Sequence, residues 1–452
     1  MLRIQQSNIV LYFSFILLAL FFAGTILFLK PTYFIALVGI LVALPLVVLY
    51  PGVGLVFYAT SLGFVDPIFD SLGVPSGLRA LPIASLLVIL LVFFIIREKK
   101  GLTLGGVHFV GIGIGIILFT GLLWTRSPNY GMWKVQAYML YSLLLLLGTA
   151  LFVGERERLK RIIYTAAFLG VVFSFMGLYT ISAGEMQKWG RLTIGSFDPI
   201  WLARGMGVFS LALLMLFEIT RSQIMKIFLL TFLFCLMFLI LSTASRGPTF
   251  SLFLTLLFYF LFFFKKPLVQ KVVFIAIVGI IICVAFIYMP QEVRDRYNFF
   301  TFSASEQGTD YTTGRMPLFT SAFHACKSHP LLGLGTGGFS SYYSLVDARQ
   351  YPHNLFLEMG SELGILGLGL IICFLCLNFR MIFSIFRKHR RITQDNFPLV
   401  WGALIFFFEF CSSMVSGDLM ANKLLFLGSG FMWTAYMTDK VKERTEGLKG
   451  GR

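Results

Sequence analysis

Long apolar segments constrain the fold of this chain more than any other feature of its sequence. Several of them reach the roughly 20 residues that an α-helix needs to cross a bilayer. Of the 452 residues, 58% are hydrophobic and 13% are charged, whereas soluble domains are about half apolar and about a quarter charged. The sequence therefore predicts an all-α polytopic integral membrane protein.

Hydropathy along the chain predicts about fourteen transmembrane helices. The predicted segments are 8–29, 33–50, 52–66, 81–97, 105–125, 135–153, 162–181, 199–219, 227–243, 248–264, 272–289, 356–386, 399–416 and 424–438. The count is 12 to 14, because the second and third segments are short and meet at Pro51-Gly52, where a re-entrant hairpin is the alternative.

Basic residues indicate the orientation. If the N-terminus is cytoplasmic, more than half of the 37 Lys and Arg fall in cytoplasmic segments, so we expect both termini inside. The predicted organisation is 1–289 with helices 1 to 11, 290–352 as an extracytoplasmic loop with amphipathic helices, 353–438 with helices 12 to 14, and a cytoplasmic tail at 439–452. The net charge of +16 follows from this topology and from attraction to anionic membrane lipids, so we expect no nucleic-acid partner.

A lone histidine, His353, follows Pro352 at the entrance to the apolar segment 356–386. Proline suits the start of a helix, so the sequence predicts that His353 lies in the first helical turn. There the helix dipole would disfavour protonation and leave a neutral ring that accepts a proton. The alternative is an interfacial histidine that is hydrogen-bonded to the loop. At 100° per residue, three glycines return close to the azimuth of the imidazole and form a groove for a neighbouring helix or an isoprenoid chain: Gly360, Gly364 and Gly367.

Three arginines fall on predicted outward segments. They are Arg191, Arg246 and Arg315. The planar guanidinium fork binds phosphate oxygens bidentately, so several of them on one face could clamp a diphosphate. The alternative for each is a local ion pair, with a carboxylate such as Asp198 or Asp310.

Four stretches carry a family resemblance. The stretch "HNLFLEMGSELGILG" fits the pattern His-[Asn/Ser/Gln], nine residues, then Gly-x-x-Gly, and it resembles the signature of the bacterial O-antigen ligase and O-antigen polymerase superfamily. "RLTIGSFDPIWLA", "SRG" and "GRMPLFTSAFHACKSHPLLGLGTGGF" look similar to the same family in the same order. The chain departs from the pattern at Ile200, where an Asn is expected, and fourteen helices exceed the twelve more usual in ligases.

The resemblance implies a GT-C-like membrane glycosyltransferase. Its donor would be a glycan on undecaprenyl diphosphate, transferred en bloc to a hydroxyl of lipid A-core on the outer face of the bacterial inner membrane. The reaction would be inverting and would need no metal and no cofactor, since the chain has no Asp-x-Asp dyad. On this basis His353 is the general base and the three arginines bind the diphosphate. The supporting motif residues are Asn354, Gly364 and Gly367.

Two alternatives stay open at this point. An O-antigen or capsular polysaccharide polymerase would use the same donor with a second lipid-linked glycan as acceptor. A lipid-linked glycan transporter would instead depend on Glu409, a carboxylate within an apolar segment. On a regular helix Glu358 and Glu362 fall opposite His353, so we do not expect them to be its partners. The glycine-rich stretch 333–338 is interpreted as a hinge or a loop near the sugar.

Overall fold

The structure is a computed structural model that describes residues 51–60, 80–98, 101–184, 191–195, 197–263, 294, 315–389 and 391–450. These residues form helices, turns and loops, with no strand among them. The all-α prediction is confirmed for this part of the chain.

The helices follow one another in an order that matches the apolar segments. They are α1 (Pro51–Thr60), α2 (Ala80–Glu98), α3 (Gly106–Thr120), α4 (Pro128–Phe152), α5 (Arg156–Ser182), α6 (Pro199–Ile219), α7 (Gln223–Ser242), α8 (Arg246–Phe262), α9 (Met316–Ser328), α10 (Gly338–Ser344), α11 (Leu355–Lys388), α12 (Phe397–Val415) and α13 (Lys423–Gly450). A 3₁₀ turn extends α3 to Leu123, and α4 contains π-helical turns at Tyr138–Leu143.

Seven of these helices are long and apolar enough to cross a membrane: α3 with its 3₁₀ turn, α4, α5, α6, α7, α11 and α12. Each lies at a predicted segment. Helices α1, α2, α8 and α13 lie at four further predicted segments. The predicted helices at 8–29, 33–50 and 272–289 lie outside the described residues, so the count of fourteen stays a prediction.

The core lies around α6 and α12, of which 78% and 72% of the apolar windows are buried. Helix α6 begins at Pro199, and the Asp198 carboxylate before it accepts a hydrogen bond of 2.8 Å from the Ile200 amide, which caps the helix. Glycines allow the central helices to approach closely. A Cβ added at Gly207 of α6 would lie 2.4 Å from the ring of Phe408 of α12.

Helix α11 is broken at Gly364, whose φ of 61° and ψ of −153° are not helical. The segment 329–337 packs into the break. Its Leu334 and Gly335 amides donate to the carbonyls of Ser361 and Glu362 at 2.9 and 2.8 Å. The loop therefore satisfies backbone groups that the break leaves without helical partners, as a chain within a membrane requires.

The break corrects two predictions from the sequence. The glycines do not line one continuous groove, because a Cβ at Gly364 would meet the Leu331 carbonyl at 2.3 Å and one at Gly360 would meet Cys326 of α9 at 3.0 Å. A helix and a loop of the same chain fill that space. The glycine-rich stretch 333–338 is not a hinge either, since its backbone packs against α11 and the start of α4, while its alternative role as a loop near the sugar stays a prediction.

The loops gather at two ends of the helix bundle. One end, which we name the outer end, joins the predicted outward segments, for example through the Asn129 amide, which donates to Asp347 at 2.8 Å. The other end, named the inner end, joins predicted cytoplasmic segments through Arg156 and Asp395 at 2.9 Å. This grouping agrees with the predicted alternation of the helices, while the side that faces the cytoplasm stays a prediction.

Candidate functional site

The segment 414–422, which comprises the last two residues of α12 and the loop that leads to α13, lies at the outer end. Its first residues contact three other parts of the chain. The Asn354 side-chain amide donates to the Met414 carbonyl at 3.1 Å, and the Arg315 guanidinium donates to the Val415 carbonyl. A Cβ added at Gly247, near the start of α8, would lie 3.0 Å from that of Ser416. The beginnings of α8, α9 and α11 therefore meet here.

The three arginines predicted from the sequence come together beside this segment. The guanidinium of Arg191 donates to the carbonyl of Thr243 at 3.0 Å and to the hydroxyl of Ser245 at 3.2 Å. Ser245 precedes Arg246, so the two arginines lie on adjoining backbone. Burial lowers the pKa of Arg315, and the positive charge of the nearby Arg246 lowers it further.

The predicted alternative for these arginines was a pair with Asp198 or Asp310. Asp198 instead caps α6, and Asp310 lies outside the described residues. The hydrogen bond of Arg315 goes to a neutral carbonyl, and this side chain forms no ion pair with any residue that the structure describes. Its positive charge is therefore available to an anion at this point.

His353 lies before α11, which corrects the prediction that it occupies the first helical turn. Asn354 is the N-cap, and its side-chain oxygen accepts hydrogen bonds from the amides of Phe356 and Leu357 at 3.0 and 3.1 Å. Because the asparagine caps the helix, the histidine stands outside it. His353 has a left-handed backbone with φ of 58°, a conformation that costs energy in a residue with a side chain.

The imidazole of His353 is partly buried, and its environment keeps it neutral. Its ring lies 4.3 Å from that of Tyr351, between centroids. Burial and then the charge of Arg315 lower the pKa of His353 to about 4. Its Nδ1 is buried and has no hydrogen-bond partner among the described residues. The ring is neutral as predicted, although burial and Arg315 are the causes that the structure shows.

Asp418 and Arg349 form a second charged group beside His353, which sequence reasoning missed. The carboxylate of Asp418 is fully buried and accepts two bonds of 3.1 Å from Arg349 and one of 3.1 Å from the Tyr130 hydroxyl. Burial alone would raise the pKa of Asp418, but the charge and hydrogen bonds of Arg349 outweigh it and the pKa is lowered. The pair ties the loop before His353 to the segment 414–422.

A buried cluster of Lys134, Glu358 and Glu362 lies beneath this pair. The Lys134 ammonium contacts Glu358 at 2.6 Å and Glu362 at 2.8 Å, and none of the three side chains is more than 2% exposed. Glu358 also accepts from the Leu419 amide, and Glu362 accepts from the Gly337 amide, both at 2.9 Å. The two glutamates therefore anchor loops and are not partners of the histidine. The sequence predicted that they are not its partners, but it did not predict the loops that they anchor.

Arg204 holds the far side of segment 414–422. It donates to the carbonyls of Ser416 and Ala421 at 2.7 and 2.8 Å. The guanidinium also lies 3.5 Å from Glu409, which is wholly buried. The carboxylate that supported the transporter alternative is therefore paired with an arginine inside the protein.

Comparison with known proteins shows a family match for part of the chain. Residues 230–372 match a family model described as O-antigen ligase. The match confirms the resemblance found in the sequence, and it includes Arg246, Arg315, Arg349 and His353. No curated protein matches the chain.

Proposed function

On the premise that residues 230–372 match the O-antigen ligase family, we propose that the chain transfers a glycan en bloc from undecaprenyl diphosphate to a hydroxyl of lipid A-core. The family is one of membrane glycosyltransferases that act on lipid-linked glycans. The proposed site is the outer end, which on this proposal faces the outside of the inner membrane. The observation that carries the proposal is that Arg315 and the neighbours of His353 and Arg246, which are Asn354 and Gly247, meet at residues 414–416, and that the charge of Arg315 acts on His353.

The arginines bind the donor diphosphate. As the glycosidic bond breaks, negative charge develops on the leaving phosphate oxygen, and fixed cations that already surround that position lower the barrier. Arg315 supports this role because its described hydrogen bond uses a neutral carbonyl oxygen. Arg191 and Arg246 lie on adjoining backbone and provide the other contacts. Bidentate guanidinium groups suit phosphate oxygens better than ammonium groups do.

His353 is the general base. Its neutral imidazole takes the proton of the acceptor hydroxyl while the hydroxyl oxygen attacks the anomeric carbon. The bond from that carbon to the diphosphate oxygen breaks, and undecaprenyl diphosphate leaves with the electron pair. A single displacement of this kind inverts the anomeric configuration. Since the bound diphosphate offsets the charge of Arg315, the donor raises the pKa of the imidazole and improves it as a base.

A transfer assay tests the proposal. The protein is reconstituted in liposomes with an undecaprenyl-diphosphate oligosaccharide and lipid A-core, in EDTA, and the products are separated by size. We expect modified lipid A-core with the wild type, and loss of product with Arg246→Ala. The control is Arg221→Ala, an exposed arginine of the inner end. Longer lipid-linked glycan with unmodified core would instead show that the protein is a polymerase and not a ligase.

Two other outcomes would contradict the proposal itself. Activity that EDTA abolishes and a divalent cation restores would contradict the metal-independent mechanism. Movement of the lipid-linked glycan across the bilayer without any transfer would favour the transporter, and that movement should then depend on Glu409.

A further inference from the structure

Two aromatic side chains and an arginine form a stack next to His353. The guanidinium carbon of Arg349 lies 5.2 Å from the ring centroid of Tyr351 and 5.7 Å from that of Trp133. Tyr351 in turn contacts the imidazole. We name Trp133, Arg349 and Tyr351 the aromatic platform. It joins the first turns of α4 to the loop that ends at the proposed base.

The charge of the platform differs from that of the arginines assigned to the diphosphate. Arg349 is paired through two hydrogen bonds with Asp418, which is fully buried, while the arginine side chain itself is 33% exposed. The pair cancels the net charge but leaves Nη1 without a described hydrogen bond. The Trp133 and Tyr351 residues are partly buried, so part of each stays accessible beside the guanidinium donor, and the neutral pair does not attract an anion as Arg315 does.

The position of the platform relative to the arginines follows from the segment 414–422. Residues 414–416 contact Asn354, Arg315 and the start of α8. Residues 418–419 contact Arg349 and, through Glu358, α11. The two groups therefore adjoin successive stretches of one segment. The charges of both groups act on His353, because Arg315, Asp418 and Arg349 all shift its pKa.

We propose that Trp133, Arg349 and Tyr351 bind the sugar ring of the acceptor that carries the attacking hydroxyl. This inference rests on the proposed function. The base must contact the acceptor hydroxyl, and Tyr351 of the platform is in contact with the base. Aromatic faces pack on the C–H face of a pyranose, while the guanidinium donates to ring hydroxyls, which is the usual combination of apolar wall and few placed polar groups in a binding site.

Separate measurement of the KM for each of the two substrates tests the assignment. The purified full-length protein is assayed in proteoliposomes, with lipid A-core varied at saturating donor and then the reverse. We expect Trp133→Leu and Tyr351→Leu to raise the KM for lipid A-core about tenfold, as loss of an aromatic contact typically does, and to leave the KM for donor unchanged. Trp133→Phe, which keeps a smaller aromatic face, should raise this KM less than Trp133→Leu does. Tyr179→Leu, with an exposed ring on α5, is the control.

A binding measurement makes the result independent of catalysis. The dissociation constant for lipid A-core is measured on the protein in nanodiscs without donor, with thermal unfolding as the check on folding. Weaker binding by Trp133→Leu supports the platform even if the wild type transfers nothing, in which case the proposed function fails alone. Unchanged binding and unchanged KM for lipid A-core in a folded variant would overturn the inference. A rise confined to the KM for donor would also overturn it.

Discussion

The two ends of the helix bundle hold charge in different ways. At the inner end, Arg156 pairs with Asp395, which is 63% exposed, and Lys160 pairs with Glu157, which is 74% exposed. Such pairs contribute about 0–1 kcal/mol each. At the outer end, the carboxylates of Glu358 and Asp418 are buried. Burial of charge costs several kcal/mol per ion before pairing offsets it. The outer end therefore keeps polar groups at a cost, which is typical of a functional site.

One histidine precedes helix α11 at the outer end and another follows it at the inner end, and the two residues allow a direct comparison of the ends. His389 follows the helix, and its Nδ1 lies 3.3 Å from the Asn396 amide nitrogen while Nε2 lies 3.7 Å from Asp439. His353 precedes the helix with a strained backbone and a buried Nδ1 that has no partner among the described residues. Burial lowers the pKa of both rings. The difference lies in the partners, so His389 is a matched control for His353.

The largest effect on stability is expected from Lys134→Met. The change leaves two buried carboxylates without their cation, and loss of one partner of a buried pair costs about 3–5 kcal/mol. The free energy of unfolding in detergent measures it. The double variant Lys134→Met/Glu362→Gln removes one of the stranded charges and should recover part of the loss. A single variant as stable as the wild type would show that the cluster does not hold the outer end.

Arg315→Gln should reduce transfer while leaving the fold intact. The glutamine keeps a donor for the Val415 carbonyl but loses the charge that we propose stabilises the leaving diphosphate. Removal of one such stabilising group costs about 10²-fold in rate. The measurement is kcat/KM for the donor, with Arg391→Gln, an exposed arginine of the inner end, as the control. Equal losses in the two variants would contradict the assignment.

The pH dependence of kcat/KM tests the neutral imidazole. A base works only when unprotonated, so the rate falls as the pH drops through the pKa of His353 in the free enzyme. Because that pKa is about 4, the acidic limb should lie near pH 4 and not near about 6.5, the value of an unperturbed histidine. In Arg315→Gln the limb should move to higher pH, since one cause of the low pKa is removed. A limb that moves to lower pH would contradict this account.

The smallest effect is expected from Asp395→Asn at the inner end. This carboxylate is exposed, so its pairs with Arg156 and Lys442 contribute little. The free energy of unfolding should change by less than about 1 kcal/mol, and transfer should be unchanged. A large loss of transfer would break the contrast between the two ends.

Segment length predicted most of the described fold. A helix satisfies all its backbone groups within a membrane, so apolar stretches of sufficient length become helices. The break in α11 could not be located from the sequence, because the segment 356–386 contains four glycines and the break falls at Gly364. It depends on the segment 329–337, whose amides donate to the carbonyls of Ser361 and Glu362 and whose Pro330 carbonyl accepts from the Ile365 amide.

The site was predicted in part for a related reason. His353 and Arg246 stand out as polar residues at the edges of apolar segments, and Arg315 stands out at the start of an amphipathic stretch in the predicted loop 290–352. The pairs of Lys134 with Glu358 and of Arg349 with Asp418 join residues 224 and 69 positions apart. Pairing between residues so far apart in the sequence is set by how the helices pack. The available signal was Lys134 itself, a charge beside the apolar segment 135–153, where an unpaired ammonium would be costly.

The most direct test compares His353→Ala with His389→Ala in the same liposome transfer assay, after both variants have been shown to be folded. The account predicts that His353→Ala lowers the rate about 10²–10⁴-fold, the contribution of a positioned base, while His389→Ala keeps the wild-type rate. A folded His353→Ala that transfers glycan as fast as the wild type would contradict the central claim.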